Sequence, residues 1–242
     1  MLKRKPILSL LLLTLPTFLQ ADILGDTVSQ LVNVDVTLKI LFLMTILALV
    51  PSILITMTSF TRIVIVLSLL RQALGIPQAP PNQVIIALSL FLTIFVMKPV
   101  YDEINTAAIQ PYLNKEMTDM EALEKAKMPL KKFMLENTQQ QDLKLFVDLS
   151  GKAAPASAEA LDMITLIPAF MVSEIRVAFE IVFVIFLPFL IIDLLIASIL
   201  MSMGMMMIPP VMIALPFKLI LFVISDGWEL LIRALIGGYH GV

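Results

Sequence analysis

Long uncharged stretches occupy the first and last thirds of the chain, and charged or helix-breaking residues bound each of them. The first stretch, from Ile40 to Thr61, lies between Lys39 and Arg62 and has the length that a helix needs to cross the hydrocarbon core of a membrane. Pro51 lies within it and predicts a kink, because proline removes one backbone hydrogen bond from the helix. We therefore predict a first apolar helix over residues 38–71.

A second apolar segment, from Val84 to Met97, follows a run of turn-forming residues. This run comprises Gly75, Pro77, Pro80 and Pro81, and it predicts the end of the first helix. At about 14 residues the segment is short for a membrane span, so a re-entrant or protein-buried helix fits as well as a span does. The connection between the two segments holds Arg62 and Arg71 and no acid, which by the positive-inside rule predicts a cytoplasmic loop.

Residues 99–162 have a different composition, since charged residues are frequent and acids outnumber bases. Such a composition is typical of an aqueous domain, which the cytoplasmic position of the preceding loop places in the periplasm. Apolar residues at helical spacing, such as Leu130, Phe133 and Met134, predict that this domain is helical. Thr118 and Glu121 have the spacing of a capping box at a helix start. A loop is predicted from Gly151 to Ala158.

The last third of the chain is apolar again, and Gly204 with Pro209 and Pro210 predicts two helices joined by a methionine-rich turn. The expected fold is all-α: an integral membrane protein of helical hairpins with four mature membrane-type helices and a small helical periplasmic domain. The predicted parts are a signal peptide at 1–21, an N-terminal hairpin at 22–98 with helices at 38–71 and 82–98, the periplasmic domain at 99–162, and a C-terminal hairpin at 163–242.

The N-terminal residues have the pattern of a secretory signal. Lys3, Arg4 and Lys5 precede an apolar core from Ile7 to Leu15. Ala21 is small enough to precede a cleavage site. Leu19 fits the cleavage pattern imperfectly, so an uncleaved anchor is the alternative.

Composition supports a membrane protein and excludes several other classes. Of the 242 residues 59% are hydrophobic and 15% are charged, which is unlike a soluble domain. A net charge of −2 provides no basic field for nucleic acid. The chain has no cysteine and one histidine, His240, which excludes disulfides and thiol catalysis and argues against zinc. The sequence has no phosphate-binding loop or catalytic constellation, so we expect neither an enzyme nor a cofactor.

Charged residues recur through the C-terminal apolar region. They are Glu174, Arg176, Glu180, Asp193, Lys218, Asp226, Glu229 and Arg233. A charge that faces lipid is costly, so these helices are expected to face protein or a water-filled path, with partners on other subunits as well as on this chain. Candidate intersubunit or gating residues are Glu174, Arg176, Glu180, Asp193 and Lys218.

Each of these charges has more than one interpretation. Asp193, inside an apolar helix, is either a proton-relay or gating carboxylate or a hydrogen-bonded packing residue at a subunit contact. Lys218 either pairs with an acid on a neighbouring subunit or extends to a membrane interface. Arg176 and Glu180 are four residues apart, as are Glu229 and Arg233, which allows an ion pair within one helix in each case. The alternative function is a proton-coupled secondary transporter subunit that uses Asp193 and Glu180, although we find no convincing internal repeat to support it.

Methionines cluster just before Pro209. They are Met201, Met203, Met205, Met206 and Met207. Unbranched thioether side chains fill gaps in helix cores, and they also adapt to changing surfaces. Core residues recur at helical spacing, whereas three consecutive methionines in a turn point in all directions. Around a shared axis, several such turns could form a soft hydrophobic constriction.

Four stretches of sequence closely resemble one protein family. They are LGIPQAPPNQVIIALSLFLTIFVMKPV from Leu74, PAFMVSEIRVAFEIVF from Pro168, PFLIIDLLIASILMSMGMMMIPP from Pro188 and ALPFKLILFVISDGWELL from Ala214. They resemble the FliP family of flagellar type III export-gate proteins and its virulence-system relatives. The resemblance extends over nearly all of the mature chain.

The resemblance implies a multi-pass inner-membrane subunit of the flagellar basal body. Family members form a pentameric ring completed by FliQ and FliR, with FlhB and FlhA as partners in the export apparatus and FliO acting during assembly. Unfolded flagellar proteins pass through this gate, which is needed for flagellum assembly. The family's methionine loop corresponds to Met205, Met206 and Met207, which the resemblance implies form a channel gasket.

Overall fold

All regular structure in the described part of the chain is helical. The structure, a computed structural model, describes residues 34–151, 160–205 and 207–239. The predicted signal peptide, most of the predicted loop after Gly151, Met206 and His240 lie outside these residues. The all-α fold class predicted from the sequence is confirmed.

Nine α-helices occur within the described residues. They are α1 (Val34–Met57), α2 (Phe60–Ala73), α3 (Asn82–Ile104), α4 (Gln110–Leu113), α5 (Asp119–Glu136), α6 (Gln140–Leu149), α7 (Met163–Ser202), α8 (Pro210–Ile224) and α9 (Gly227–Gly237). A π-helical turn, Asn105–Ile109, joins α3 to α4. The described part of α1 before Ile53 forms a unit of its own, and the rest of the fold forms a second compact unit.

Two helical stretches are long and apolar enough to cross a membrane: Asn82–Leu113, with 32 residues, and Met163–Ser202, with 40. Leu47–Met57 and Phe60–Ala73 together make a third if the sharply bent pair counts as one span, while α8 is apolar but has only 15 residues. These four elements correspond to the four predicted membrane-type helices. Both long stretches carry exposed large apolar side chains, which suit contact with lipid or protein.

The predicted short helix at 82–98 extends further than its apolar residues. α3 continues to Ile104, past the expected domain boundary at residue 99. Near the end of α3, Lys98 and Asp102 lie one helical turn apart. They form an exposed ion pair with 2.7 Å between Nζ and Oδ2. Such i,i+4 pairs support a helix whose surface is polar. The segment therefore has the length of a span, which its apolar run alone did not reveal.

The first apolar helix, predicted as one helix over residues 38–71 with a kink at Pro51, is two helices in the structure. α1 continues past Pro51 to Met57. The helical conformation is interrupted at Thr58 and Ser59, and α2 begins at Phe60. The Thr61 hydroxyl donates to the Ile55 carbonyl at 2.6 Å, and the Thr58 hydroxyl accepts a hydrogen bond from the Phe60 amide at 3.3 Å. Hydroxyl groups thus bond backbone groups that the interruption would leave without partners.

Several predicted helix ends are confirmed. α2 ends at Ala73, before the glycine and proline run. Thr118 and Glu121 form the capping box, in which the Glu121 carboxylate accepts from the Thr118 amide at 2.9 Å and the Thr118 hydroxyl accepts from the Glu121 amide at 3.4 Å. The methionine-rich turn separates α7 from α8 as predicted. Each of these helix ends depends on residues within a few positions of it in the sequence.

The core is built around α2, which contacts both α3 and α7. Its residues Ile63, Val66 and Leu70 are almost fully buried. The apolar cluster continues to Phe133 on α5 and Phe170 on α7, whose rings meet edge to face with 5.9 Å between their centroids. The core therefore links the helices of the predicted aqueous domain to the long apolar helix α7.

Candidate functional site

We define the methionine turn as residues 203–209, and the structure describes all of these residues except Met206. The Gly204 amide donates to the Met201 carbonyl at 3.1 Å, and the Met205 amide donates to the Leu200 carbonyl at 2.9 Å. Gly204 has a φ of +73°, a left-handed conformation that favours glycine and ends the helix. The start of the turn, from Met203 to Met205, therefore has a defined shape.

Most described methionines of this region project outward. Met201, Met203, Met205 and Met207 are all exposed, and Met207 is 97% exposed. Leu200, at the end of α7, is buried and anchors the turn. A group of exposed apolar side chains at the junction of two apolar helices is typical of a surface that contacts another apolar surface rather than water.

Lys218 and Asp193 form an ion pair between α8 and α7. The distance from Lys218 Nζ to Asp193 Oδ2 is 2.6 Å, and Nζ also donates to the Ala73 carbonyl at the end of α2 at 3.2 Å. Lys218 is 3% exposed, and its ammonium group has two partners inside this chain, which matches neither of the two interpretations considered above. Asp193 Oδ1 is buried and accepts no hydrogen bond from any described residue. The pair joins α7 to α8, the two helices that the methionine turn connects, and the bond to Ala73 joins them to α2.

Glu174 belongs to a buried polar cluster. The Arg62 guanidinium, on α2, makes two hydrogen bonds to the Glu174 carboxylate: Nε donates to Oε2 at 3.0 Å, and Nη2 donates to Oε1. Its Nη1 donates to the Gly238 carbonyl at 3.0 Å. The side chains of Arg62 and Glu174 are 2% and 0% exposed. Tyr239 completes the cluster, since its hydroxyl donates to Glu174 Oε2 at 2.8 Å and its ring lies 3.8 Å from the Arg62 guanidinium carbon.

The phenol of Tyr239 stays a hydrogen-bond donor in this cluster. Burial, together with the nearby Glu174 carboxylate, raises the pKa of the Tyr239 phenol well above its ordinary value of 10.0. Bidentate pairing of a guanidinium with a carboxylate is the geometry in which a buried ion pair is best compensated. Glu174 is therefore fully engaged within this chain.

Arg176 pairs with Asp142 on α6 rather than with Glu180, the i,i+4 partner considered above. Arg176 Nη2 lies 2.6 Å from Asp142 Oδ1, and Nε lies 3.2 Å from Oδ2. The Ser173 hydroxyl donates to Asp142 Oδ2 at 2.8 Å and accepts from the Gln139 amide at 2.9 Å. The start of α6 is thereby fixed to α7, while Glu180 lies exposed on α7.

Acid is expected to loosen α6 from α7. Hydrogen bonding to Arg176 holds the pKa of the Asp142 carboxyl below its ordinary value of 3.8. The contribution of this contact is thus fully present above pH 3.8 and lost as the pH falls through the lower folded-state pKa. We expect a loss of about 1–2 kcal/mol, because hydrogen bonds to charged groups are worth that much when one partner is partly exposed.

Hydrogen exchange of the α6 amides, corrected for the intrinsic pH dependence of exchange, measures this effect. In wild type, protection should fall as the pH drops through that range. Asp142→Asn should reduce protection already at neutral pH and abolish the further acid-induced loss. Asp148→Asn, at an exposed position on the same helix, is the matched control and should behave as wild type. Equal acid profiles in wild type and Asp142→Asn would contradict the prediction.

The match of this sequence to a known family covers most of the chain. A sequence model described as the FliP family matches residues 43–235. The chain belongs to the FliP family. The resemblance seen in the four sequence stretches is thereby confirmed. The FliP family is one of membrane proteins, which agrees with the apolar spans of the structure.

Individual FliP relatives match at high identity. "Flagellar biosynthetic protein FliP" of Aquifex aeolicus (strain VF5) is 53% identical over 210 residues, which cover 86% of this chain and 88% of the relative. The protein of the same name from Bacillus subtilis (strain 168) is 50% identical over 207 residues, covering 86% of this chain and 94% of the relative. The protein of that name from Caulobacter vibrioides (strain ATCC 19089 / CIP 103742 / CB 15) is 52% identical over 198 residues, covering 82% and 74%.

The residues matched to the FliP family include the methionine turn and all five charged candidates. Sequence reasoning missed their partners Arg62, Asp142 and Tyr239. Arg62 was used in the sequence analysis only as a marker of the cytoplasmic loop. Its position at the edge of an apolar stretch was the one signal that this arginine could be buried and paired with an acid. Asp142 gave a weaker signal, as an acid in the first turn of an amphipathic helix. Within the described residues of this FliP-family chain, no group of three or more His, Asp or Glu side chains could hold a metal ion.

Proposed function

We propose that this FliP-family chain is a subunit of the flagellar protein export apparatus and forms, with further copies, the passage by which unfolded flagellar proteins cross the inner membrane. The flagellar role is supported by the names of its relatives. The passage is supported by one observation above all: the exposed methionines of the turn between α7 and α8. Copies arranged around an axis would bring these turns together.

In this proposal the assembly and its surroundings follow the family resemblance. The chain forms a pentamer with FliQ and FliR, cooperates with FlhB and FlhA, and depends on FliO during assembly. Residues 1–21 direct the chain to the inner membrane, where it is multi-pass, and residues 99–162 lie in the periplasm. The exposed apolar faces of α3 and α7 supply the surfaces for lipid and for neighbouring subunits.

The methionine turn acts as a seal in this mechanism. Thioether side chains have no strong hydrogen-bonding group, so a ring of them offers nothing to replace the hydration shell of an ion. The same side chains are unbranched and flexible, so they can repack around a polypeptide of changing shape. The chain carries out no catalytic step in this proposal, and the energy for export comes from other components.

The transporter alternative is less well supported by the geometry. Asp193 Oδ2 is bonded to Lys218, and Glu180 lies about 20 Å away along α7 by helical rise. A proton relay needs titratable groups close enough to exchange a proton, and these two are too far apart to do so directly. We therefore favour the export passage.

Removing the thioethers should open the closed assembly to ions. The variant Met205→Ala/Met206→Ala/Met207→Ala, purified with its co-expressed membrane partners and reconstituted in liposomes, should leak ions at least severalfold faster than wild type. Met128→Ala is the matched control, since Met128 is 65% exposed but lies on α5 in the aqueous helices. Unchanged conductance in a correctly assembled triple variant would defeat the proposed seal.

Assembly is checked in the same preparation. The chain has no cysteine, so Met207→Cys introduces a single thiol. Oxidation should link identical subunits through this position and leave Met128→Cys unlinked. A lone subunit that forms no such link would contradict the passage itself.

A further inference from the structure

We propose that Arg71 and the apolar cavity beside it bind an anionic phospholipid, with the headgroup phosphate on the guanidinium and an acyl chain in the cavity. The site lies where α2 ends and α3 begins, and the methionine turn takes no part in it. It therefore goes beyond the passage proposed above, and its test does not depend on that passage.

Arg71 is a cation without a counter-ion among the described residues. Its Nη1 donates to the Pro80 carbonyl at 3.0 Å and to Asn82 Oδ1 at 2.8 Å, and both acceptors are uncharged. Its Nε is buried without a hydrogen-bond partner, and no described residue accepts from Nη2. The sequence from residue 36 to residue 101 contains no acid. The positive charge is thus left for an anion from outside the chain to neutralise, through the open edge at Nη2.

The start of α3 adds to the positive potential beside Arg71. α3 begins at Asn82, and the first amides of a helix have no partners within it. The helix dipole gives this end a partial positive charge, and helix starts bind phosphate groups for that reason. Because the Asn82 side chain accepts from Arg71, the guanidinium and the helix start lie next to each other. Together they favour an anion at the end of two apolar helices.

An apolar cavity of about 400 Å³ adjoins Arg71, between α2, α3 and α9. Its volume is within the range of small-molecule sites, roughly 300–1,000 Å³. Apart from Arg71, the cavity is lined by aliphatic side chains, Pro80 and Trp228. Tryptophan is typical of membrane interfaces, at the level of the lipid headgroups. A free phosphate ion would use the guanidinium alone, whereas a phospholipid uses both the guanidinium and the cavity.

The position of this site suits a membrane lipid. α2 is half of a bent apolar pair, and α3 begins an apolar stretch of 32 residues, so their shared end is where a span meets the headgroups. The positive-inside rule predicts that this end is cytoplasmic, and basic pockets between helices on that side bind anionic headgroups. The lining residues lie between helices of one chain and outside the methionine turn, so bringing the turns together around an axis does not by itself fill the cavity.

Trp228 provides the measurement, because it lines the cavity and is the single tryptophan of the chain. The full chain in nonionic detergent is titrated with phosphatidylglycerol whose brominated acyl chains quench tryptophan fluorescence at short range, and separately with phosphatidylcholine that has the same chains. Half-maximal quenching should need about fivefold less phosphatidylglycerol, the factor that one arginine contributes to binding anionic lipid. High salt should reduce this preference. Equal quenching by the two lipids would overturn the inference.

Variants and a competitor identify the group that is recognised. Arg71→Met should abolish the preference for phosphatidylglycerol without changing quenching by phosphatidylcholine. Arg233→Met is the matched control, since it removes an exposed arginine of α9 that pairs with Glu229, and it should keep the preference. Inorganic phosphate should displace the lipid no better than chloride at the same ionic strength. Stronger displacement would indicate a site for free phosphate and refute the assignment to a lipid.

The complex purified with its membrane partners tests the site in the assembly. Mass spectrometry of the lipid extract should find severalfold less phosphatidylglycerol in Arg71→Met than in wild type and Arg233→Met. Equal amounts in the three preparations would show that a partner protein covers Arg71, and the inference would fail. The ion leak and cross-linking described above would still decide the proposed function.

Discussion

Replacing Arg62 with methionine should lower the free energy of unfolding by about 3–5 kcal/mol, which is the usual cost of removing one partner from a buried ion pair. The loss of stability comes from the polar groups that the substitution leaves without a partner. Glu174, 0% exposed, would keep a carboxylate without its guanidinium, and the Gly238 carbonyl would lose its donor. Tyr239 supplies one hydrogen bond to the carboxylate, which cannot replace the bidentate pair.

Denaturant titration of the full chain in detergent measures this effect, with the fluorescence of Trp228, the single tryptophan, as the probe. Arg233→Met is the matched control. It removes the same type of side chain from a pair with Glu229 whose members are 76% and 61% exposed, so it should change stability by less than about 0.5 kcal/mol.

A double variant distinguishes a lost ion pair from general damage. Arg62→Met/Glu174→Leu leaves no unpaired buried charge and should recover most of the loss, because apolar replacement of both partners is often neutral. Similar losses for Arg62→Met and Arg233→Met, or no recovery in the double variant, would show that the buried cluster does not carry the stability assigned to it.

Replacing Lys218 with methionine should destabilise the chain by about 2–3 kcal/mol, less than the Arg62 change because Asp193 is partly exposed. The variant leaves the Asp193 carboxylate with neither of its oxygens paired among the described residues. It also removes the ammonium group from the Ala73 carbonyl, at the end of α2, where a positive charge complements the helix dipole.

The same titration applies to this variant, and Lys98→Met is its control. Lys98 pairs with Asp102 on an exposed helix surface, so its removal should cost less than about 0.5 kcal/mol. Adding Asp193→Asn to Lys218→Met should restore part of the stability, since an amide is cheaper than a carboxylate to leave without a cation. A loss no larger than that of Lys98→Met would refute the structural role of this pair.

Features set by neighbouring residues could be predicted from the sequence. The capping box of Thr118 and Glu121, the end of α2 before Gly75 and the break at Gly204 all depend on chemistry within a few positions. The apolar stretches gave the candidate spans for the same reason. The extent of α3 was underestimated because a helix continues wherever its surface groups are satisfied, whether or not they are apolar.

The partners of the charged residues could not be predicted in this way. Arg62 and Glu174 are 112 positions apart, Asp142 and Arg176 are 34 apart, and Asp193 and Lys218 are 25 apart. Each pair depends on how helices pack, and a single sequence contains no local signal for that packing. Likewise the interruption between α1 and α2 was not predicted, although the hydroxyls of Thr58 and Thr61 bond backbone groups there.

Synthesis sets the order in which the buried cluster can form. The ribosome adds Arg62 first and Glu174 112 residues later, and Tyr239 follows 65 residues after Glu174. A nascent chain can therefore bring the pair together but cannot enclose it until Gly238 and Tyr239 have been added. Chains released before that point lack this enclosure, which gives proteases a chemical difference by which unfinished copies can be removed.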